Sequence, residues 1–499
     1  MTEHVSKQAL QATLPPPGTD DLRSRIRAHI SLPTARKLIV LDDDPTGTQT
    51  VRDIPVLTTW EVETLVRELA SPHACFYLLT NSRSLPPTQA EVLIREIARN
   101  LREAVWRAAG FAEEPPEPRA FCLAAIAIVL RSDSTLRGHF PLESDILSEE
   151  LGPFDATILF PYFEAGGRWT VNDIHYASNG DDLVPAAETL FARDAAFGYH
   201  SSHLGDYVEE KTHGRVRAQD VISFSIEELR PSATHKEPGV ELTRRLRALH
   251  SGRTAIVNAI APSDAESFAE ATLRAESAGG RYLFRTAAQF IAARLGLEPQ
   301  ALWQSPMTEE HPERLSQGGL IIVGSYVSKT TDQLAHLQAS GKAEIHTLEV
   351  EALLSRDAHE TVLDATACEL EAAYSRGVDV VLVTSRRLIA GTDPTTSLEI
   401  GNQVSKALVH ILQKLRKPPR FLMAKGGITA SDLATRGLGV RRAIVRGQLL
   451  PGVPVWELGE ETKFPGMPYI IFPGNVGGPS ALTDALHRLS PIDHLRQHS

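Results

Sequence analysis

Three consecutive aspartates, Asp42, Asp43 and Asp44, close an apolar run and lead straight into Pro45, Thr46 and Gly47 in the stretch LIVLDDDPTGTQT. Asp, Pro, Thr and Gly are all turn formers, so one reading is a solvated turn. Carboxylates that follow directly on an apolar strand emerge where open α/β sheets bind ligands, and there they suit a magnesium ion or the activation of a hydroxyl. A second dense stretch, LRSDSTLRGHFPLE, puts Arg131, Asp133, Ser134, Thr135, Arg137 and Gly138 into one loop after another apolar run. Arginine forks take carboxylates bidentately, and the helix-like pattern that follows the loop offers N–H groups to an anion. Arg83, in TNSRSL after a third apolar run, is placed to join the same crevice.

Two chemistries compete for these residues. The spacing Asp42-x-Asp44-x-Thr46 resembles the first motif of haloacid-dehalogenase-type phosphatases, in which the first Asp attacks a phosphoryl group, and LLTN at 78–81 mimics their second motif. The acidic pair such an enzyme needs is missing, because Asp181 and Asp182 follow YASNG, which does not read as a strand. Further on, Gly166, Gly167 and Arg168 read as a tight turn presenting a cation, and Thr189, Arg193 and Asp194 sit at helix spacing. His175, His200 and His203 lack the HExxH spacing of a metal helix and read as structural, which leaves the protein's own metal ligands unknown. In the second half, glycines gather in VGSYVSKTT, KGGITASD and FPGNVGG, each after an apolar run. Glycine lets backbone N–H groups approach phosphate oxygens, so the three loops read as a nucleotide cradle or as ordinary tight turns. None matches the P-loop or dinucleotide fingerprints.

The elements that must position these groups alternate. Short apolar runs at 37–41, 75–79, 121–130, 156–160 and 255–261 are separated by helical patterns at 61–70, 89–109 and from about 262 to 295, the rhythm of a largely parallel sheet covered by helices. The pattern lapses at 301–317, where Pro, Glu and polar residues mark a domain junction. A second series follows at 320–323, 380–383, 420–424, 443–445 and 469–472, with a long helix pattern over 397–415. The expected architecture is two α/β domains with mainly parallel sheets and an active site in the cleft between them: an N-terminal extension over 1–35, then domains at 36–300 and 318–499.

Composition excludes several classes. The 499 residues suffice for two cores, since single cores stop growing near ~250–300 residues. With 51 basic against 62 acidic residues the net charge is −11 and no basic stripe is evident, so no nucleic-acid partner is expected. The three cysteines lie far apart without a CxxC pair, which fits a reducing compartment. The run AFCLAAIAIVL falls short of the ~20 residues of a membrane span. The N-terminus shows no secretory apolar core, so a cytoplasmic location and no membrane partner are expected.

Taken in order, DDDPTG, Ser82-Arg83, RSDSTLRG, AGGR, ETLFARD, GSYVSKTT, KGGIT, PGVPVW and PGNVGG resemble the four-carbon acid sugar kinase family over about residues 35 to 490. The resemblance implies an N-terminal acid-sugar-binding domain, a C-terminal nucleotide-binding domain, ATP with Mg2+ as cofactors, a small sugar acid such as threonate, erythronate or a 3-oxo-tetronate as substrate, and a homodimer. Carried over by motif, Asp43, Asp44, Thr46 and Gly47 match the acidic loop, and Arg83, Asp133, Ser134, Arg137 and Gly138 fall on substrate-side motifs. Gly324, Ser325, Gly426, Gly427, Ile428, Thr429, Gly474 and Asn475 would line the ATP site. Arg131, Ile428 and Val476 depart from the residues many members carry, which points to a divergent branch. The expected chemistry has Asp43 or Asp133 as base, Asp44 beside it, and Arg83, Arg131 and Arg137 clamping the substrate carboxylate. The alternatives are a phosphatase with Asp42 as nucleophile and a non-catalytic sensor of sugar acid and ATP.

Overall fold

The computed structural model describes residues 5–18, 21–115, 117–180, 182–230, 238–299, 301–304, 312–353, 359–386 and 394–490. The chain divides into one unit of Met1–Pro55 and Thr59–Pro299 and a second of Val56–Thr58 and Gln300–Ser499.

In the first unit the elements, in chain order, are β1 (Lys37–Asp42), β2 (Cys75–Leu79), α1 (Pro87–Ala108), β3 (Ile126–Arg131), α2 (Leu142–Leu151), β4 (Ala156–Phe160), β5 (Arg168–Val171), β6 (Ile174–Asn179), β7 (Asp182–Pro185), β8 (Ile222–Phe224), β9 (Arg253–Val257), α3 (Pro262–Ser277) and β10 (Tyr282–Thr286). Most pair in parallel in the order β8-β9-β4-β10-β3-β1-β2. Both faces of this sheet are covered, so β1, β2 and β3 read as unbroken apolar runs and are buried almost throughout. Register aligns their carboxyl ends: Asp42 pairs with Leu79 on one side and Arg131 on the other, and Arg131 pairs with Thr286. The chain leaves β1 toward β2 and returns on the other side at β3. That is the topological switch point, beyond which ligands of open α/β sheets bind.

Several expectations change here. The apolar run at 121–130 is not one strand: Pro118–Ala125 is helical and only Ile126–Arg131 extends. The alanine-rich half favours helix, the β-branched half strand. The helical pattern from 262 to 295 is broken at Gly279, whose φ of +96° no helix accommodates, and β10 and a separate helix, Ala288–Arg294, follow. Residues 176–179 of YASNG do lie in a strand, β6, within the antiparallel sheet β5-β6-β7, while Asp181 lies outside the described residues. Thr189, Arg193 and Asp194 lie on and beside short 3-10 turns rather than a helix. Part of the leader, Leu22–Ile30, is a helix that buries Leu22 and Ile26.

The second unit continues with β11 (Leu320–Val323), α4 (Ser328–Ser340), β12 (Glu344–Leu348), β13 (Val380–Thr384), α5 (Pro394–Lys414), β14 (Leu422–Lys425), β15 (Arg442–Leu450), β16 (Val453–Leu458), β17 (Pro468–Phe472) and α6 (Ala481–Leu489). The order is β15-β16-β17-β14-β11-β13-β12, parallel from β17 to β12 and antiparallel at β15-β16-β17. Strand β16 was not legible in PGVPVWEL because Pro454 interrupts the pattern. Register again aligns the carboxyl ends, Val323 with Lys425 and Lys425 with Phe472. One core of Ile321, Val323, Val381, Met423, Val455, Ile470, Phe472 and Leu482 holds this sheet against α6. Among the described residues no helix is long and apolar enough to cross a membrane.

Candidate functional site

In the first unit the carboxyl ends of β1, β2 and β3 bring the predicted residues into one crevice. Arg83 lies on the 3-10 turn Ser82–Ser84, which follows β2. Its Nη2 reaches Asp43 at 3.2 Å and Asp44 at 3.0 Å, and its Nη1 is 3.6 Å from Asp133. Arg137 donates through Nε to Asp133 at 2.6 Å and lies 3.5 Å from Asp194. Thr46 closes the acidic loop by donating its N–H to Asp44 Oδ1 at 2.9 Å, so Pro45–Thr50 turns as a 3-10 helix capped by that aspartate.

The three aspartates differ sharply. Burial pushes Asp42 up to about 7 although Arg131 opposes it. Burial also raises Asp43, against Arg83 and Arg131. For Asp44 burial is outweighed by Arg83, Arg131 and the bonds from Thr46, which hold its carboxyl below the usual range. Asp133 is driven down further, its burial overcome by Arg83, Arg137 and the Thr135 hydroxyl. The Oδ2 atom of Asp43 is buried without a hydrogen-bond partner, and a Cβ on Gly138, whose φ is +119°, would stand 3.2 Å from it.

Two residues sit differently from the roles expected of them. Arg131 is 6% exposed and lies between Asp42 at 3.1 Å and Asp43 at 3.2 Å, an internal counter-ion for the acidic loop. Asp42 is fully buried, and the Gly47 backbone lies over its carboxylate so closely that a Cβ would stand 2.1 Å away. This cover over the carboxylate argues against Asp42 as a nucleophile. Ser134 takes part through its carbonyl, which accepts from His175 Nε2 at 2.7 Å while Thr170 bonds the other ring nitrogen. Burial holds His175 down at about 4, so this histidine is neutral and structural.

Sequence reasoning passed over Glu143 and Arg285. Glu143 accepts from Ser82 Oγ at 2.6 Å, and burial, reinforced by Asp43, raises it to about 7. An acid at a helix start is usual and carried no signal. Arg285 is 4% exposed, donates to the Arg137 carbonyl at 3.2 Å and lies over Phe140; it escaped notice because β10 did. Among the described residues no group of three His, Cys, Asp or Glu side chains is placed to hold a metal ion.

In the second unit the three glycine loops meet around Ser325. A Cβ on Gly324 would stand 2.2 Å from Thr429 Oγ1, one on Gly426 3.3 Å from the Ser325 side chain, and one on Gly474 2.8 Å from Ser325 Oγ. Gly426 also requires φ +119°. Thr330 donates to the Gly474 carbonyl at 3.1 Å, tying α4 to the last loop. Gly427 and Ile428 open the short helix Gly427–Asp432. Ile428 is 63% exposed, as an apolar surface beside the loops, and so in part are Tyr326 and Val327. Asn475 lies exposed on the third loop. The residue missed here is Lys425. Its Nζ donates to the Pro473 carbonyl at 2.6 Å and sits 4.1 Å from the Phe472 ring centre, and burial, with Lys329 adding to it, lowers the amine to about 7. A lysine closing the buried run FLMAK is the signal that would have found it.

The profile of a sugar-binding N-terminal domain matches residues 38–294, and that of a nucleotide-binding C-terminal domain matches residues 320–482. A Salmonella typhimurium LT2 protein named provisionally as a tRNA synthase superposes with a TM-score of 0.61 at 16% identity, over 90% of this chain and 98% of that one. A Haemophilus influenzae protein assigned to a family of unknown function does so with a TM-score of 0.60 at 16% identity, over 90% and 99%. No curated protein matches the sequence.

Proposed function

The chain belongs to the family in which a sugar-binding N-terminal domain precedes a nucleotide-binding C-terminal domain, and from that premise we propose an ATP-dependent kinase that phosphorylates a hydroxyl, the terminal one, of a four-carbon sugar acid such as threonate, erythronate or a 3-oxo-tetronate. The observation that carries this reading is Asp43: a carboxylate with raised proton affinity and an unbonded oxygen, at the switch point of the sugar-binding unit. In the proposed step Asp43 takes the proton of the substrate hydroxyl, the oxygen bonds to the γ-phosphorus, and the bond to ADP breaks. Asp133, tied to Arg137, Arg83 and Thr135, is a poor base and serves to orient those cations. Asp44 is the aspartate of the three with the more exposed carboxylate, and Arg83 offsets its charge.

On the nucleotide side the loops around Ser325 support phosphates with backbone N–H groups, and Tyr326, Val327 and Ile428 offer a face for a base. ATP enters as its magnesium complex. Magnesium bound to nucleotide is held mainly by phosphates, and Asp44 is the carboxylate that would be available to it. Phosphoryl transfer asks chiefly for positioning and charge neutralisation, and these are what both regions are built to supply.

The test is ADP release from purified protein with ATP and magnesium across D- and L-threonate, D- and L-erythronate and their 3-oxo forms. A strong signal with one acid is expected. Silence across the panel while ATP still protects the protein from heat would favour a sensor instead.

A further inference from the structure

An anionic substrate needs a cation whose charge is not already spent. In the acidic crevice Arg83 serves three carboxylates, Arg131 two and Arg137 two. Arg285 is buried and faces Glu143, whose charged form it favours. Arg168 differs from Arg83, Arg131 and Arg137 in having no ion pair, and from Arg285, which has none either, in being only partly buried. It opens β5 at the turn after Gly167, and among the described residues no carboxylate lies within ion-pair distance of it. Its Nη1 donates to the carbonyls of Gly166 and Gly167, the second at 3.0 Å, and its Nε is buried without a partner. Its guanidinium lies 5.3 Å from the centre of the Phe191 ring, and that of Arg137 lies 5.2 Å from the same ring. Burial lowers the proton affinity of Arg168, with Asp133 as the chief opposing influence and Arg137 adding to the strain. Two guanidinium groups therefore converge on one phenyl ring, and one of them makes no ion pair among the described residues, Asp133 acting on it only from a distance.

We propose that Arg168 reads the carboxylate of the substrate, supported by Phe191 and the Gly166–Gly167 turn, and that it sets the preference for a small hydroxy acid over the neutral polyol of the same length. This rests on the sugar-acid reading above and replaces Arg131 as the reader of that carboxylate. A guanidinium fixed by two backbone carbonyls and an aromatic face keeps its remaining N–H groups aimed in one direction, and a planar carboxylate fits that fork. The carboxylate does not react, so the loss of Arg168 should act mainly on binding.

The experiment compares wild type, Arg168→Gln and Arg168→Lys with the acid that wild type phosphorylates and with erythritol and threitol. Thermal protection by the acids alone, without ATP, is measured alongside. Arg168→Gln should raise KM for the acid by roughly 30- to 100-fold, the worth of a charged, hydrogen-bonded contact. Its kcat should stay within a few-fold, and its weak handling of the tetritols should be unchanged. Arg168→Lys, which keeps the charge without the fork, should lie between, near a tenfold rise in KM. If Arg168→Gln does not fold, the Lys variant decides by the same criteria. A KM within twofold of wild type, or an equal loss toward the tetritols, would overturn the assignment. If wild type phosphorylates nothing in the panel, the kinase reading fails separately. Protection of wild type by hydroxy acids, absent in Arg168→Gln, would then still support the anion site, and absence of protection in wild type would sink it.

Discussion

The acidic crevice of the first unit and the glycine cradle of the second follow the same topological rule, at the carboxyl ends of the strands flanking a switch point, yet they are made of different material. The crevice is built from side chains: four aspartates and three arginines within a few ångströms, each charge answered by another. The cradle is built from backbone, with glycines packed against Ser325 and Thr429 and one lysine whose amine burial lowers to about 7. Where charge is dense, a substitution leaves a buried partner unanswered and the effect is electrostatic. Where the backbone does the binding, the sensitive parameter is volume.

The largest expected effect belongs to the crevice. Asp43→Asn should cut kcat in the ADP-release assay by about 10²- to 10⁴-fold, the usual contribution of a general base, with KM for ATP little changed. Asp133→Asn should cost less, since that residue orients cations. If both variants turned over at the wild-type rate, the crevice would not be the place where the proton leaves.

The cradle should answer to a methyl group. Gly324→Ala puts a Cβ into Thr429 Oγ1, and calorimetry should show ATP binding weakened by roughly tenfold, within the range of overpacking. Thr429→Ala in the same chain should restore much of that affinity. Failure of the rescue would mean that the clash is not what limits binding.

Charge still matters once in the cradle. Lys425 has a free-state value of about 7, and bound phosphates would favour its protonated form, so ATP binding takes up a proton above that pH. Affinity should therefore fall as pH rises from 6.5 to 8.5, by up to about tenfold, and the trend should vanish in Lys425→Met. A flat wild-type profile would show that the amine stays with the Pro473 carbonyl and never meets the nucleotide.

The smallest effect is on stability. Glu143 keeps its proton in the folded state up to about 7, whereas the unfolded chain releases it near 4.5. Its stabilising contribution is complete below 4.5 and is lost as pH rises to 7. Glu143→Gln should flatten that part of the melting-temperature profile by roughly 2 °C. Asp42, raised to a similar value, will keep some slope in the variant.

The strands that carry both regions were legible because a strand buried on both faces must be apolar throughout, and 75–79, 156–160 and 320–323 stand in the structure with those bounds. Tyr282–Thr286 and Val453–Leu458 were not: one carries a buried arginine, the other a proline, and both interrupt the apolar pattern. The acidic loop and the three glycine loops were visible for a related reason. A charge or a glycine next to a buried strand is costly unless something uses it.

Residue types and their order along the chain were enough to indicate two α/β units and to mark the stretches that gather at each switch point. They could not say which cation answers which carboxylate, because such pairings join residues tens of positions apart and depend on strand order and register. Only when β3 lies beside β1 does Arg131 fall between Asp42 and Asp43, while Arg83 and Arg137 pair with Asp133 and Arg168 makes no ion pair among the described residues. Proton affinity follows from the same folding. Asp42, Asp43, Asp44 and Asp133 are chemically identical in the sequence, and burial and distance to a guanidinium, both properties of the assembled sheet, set them apart.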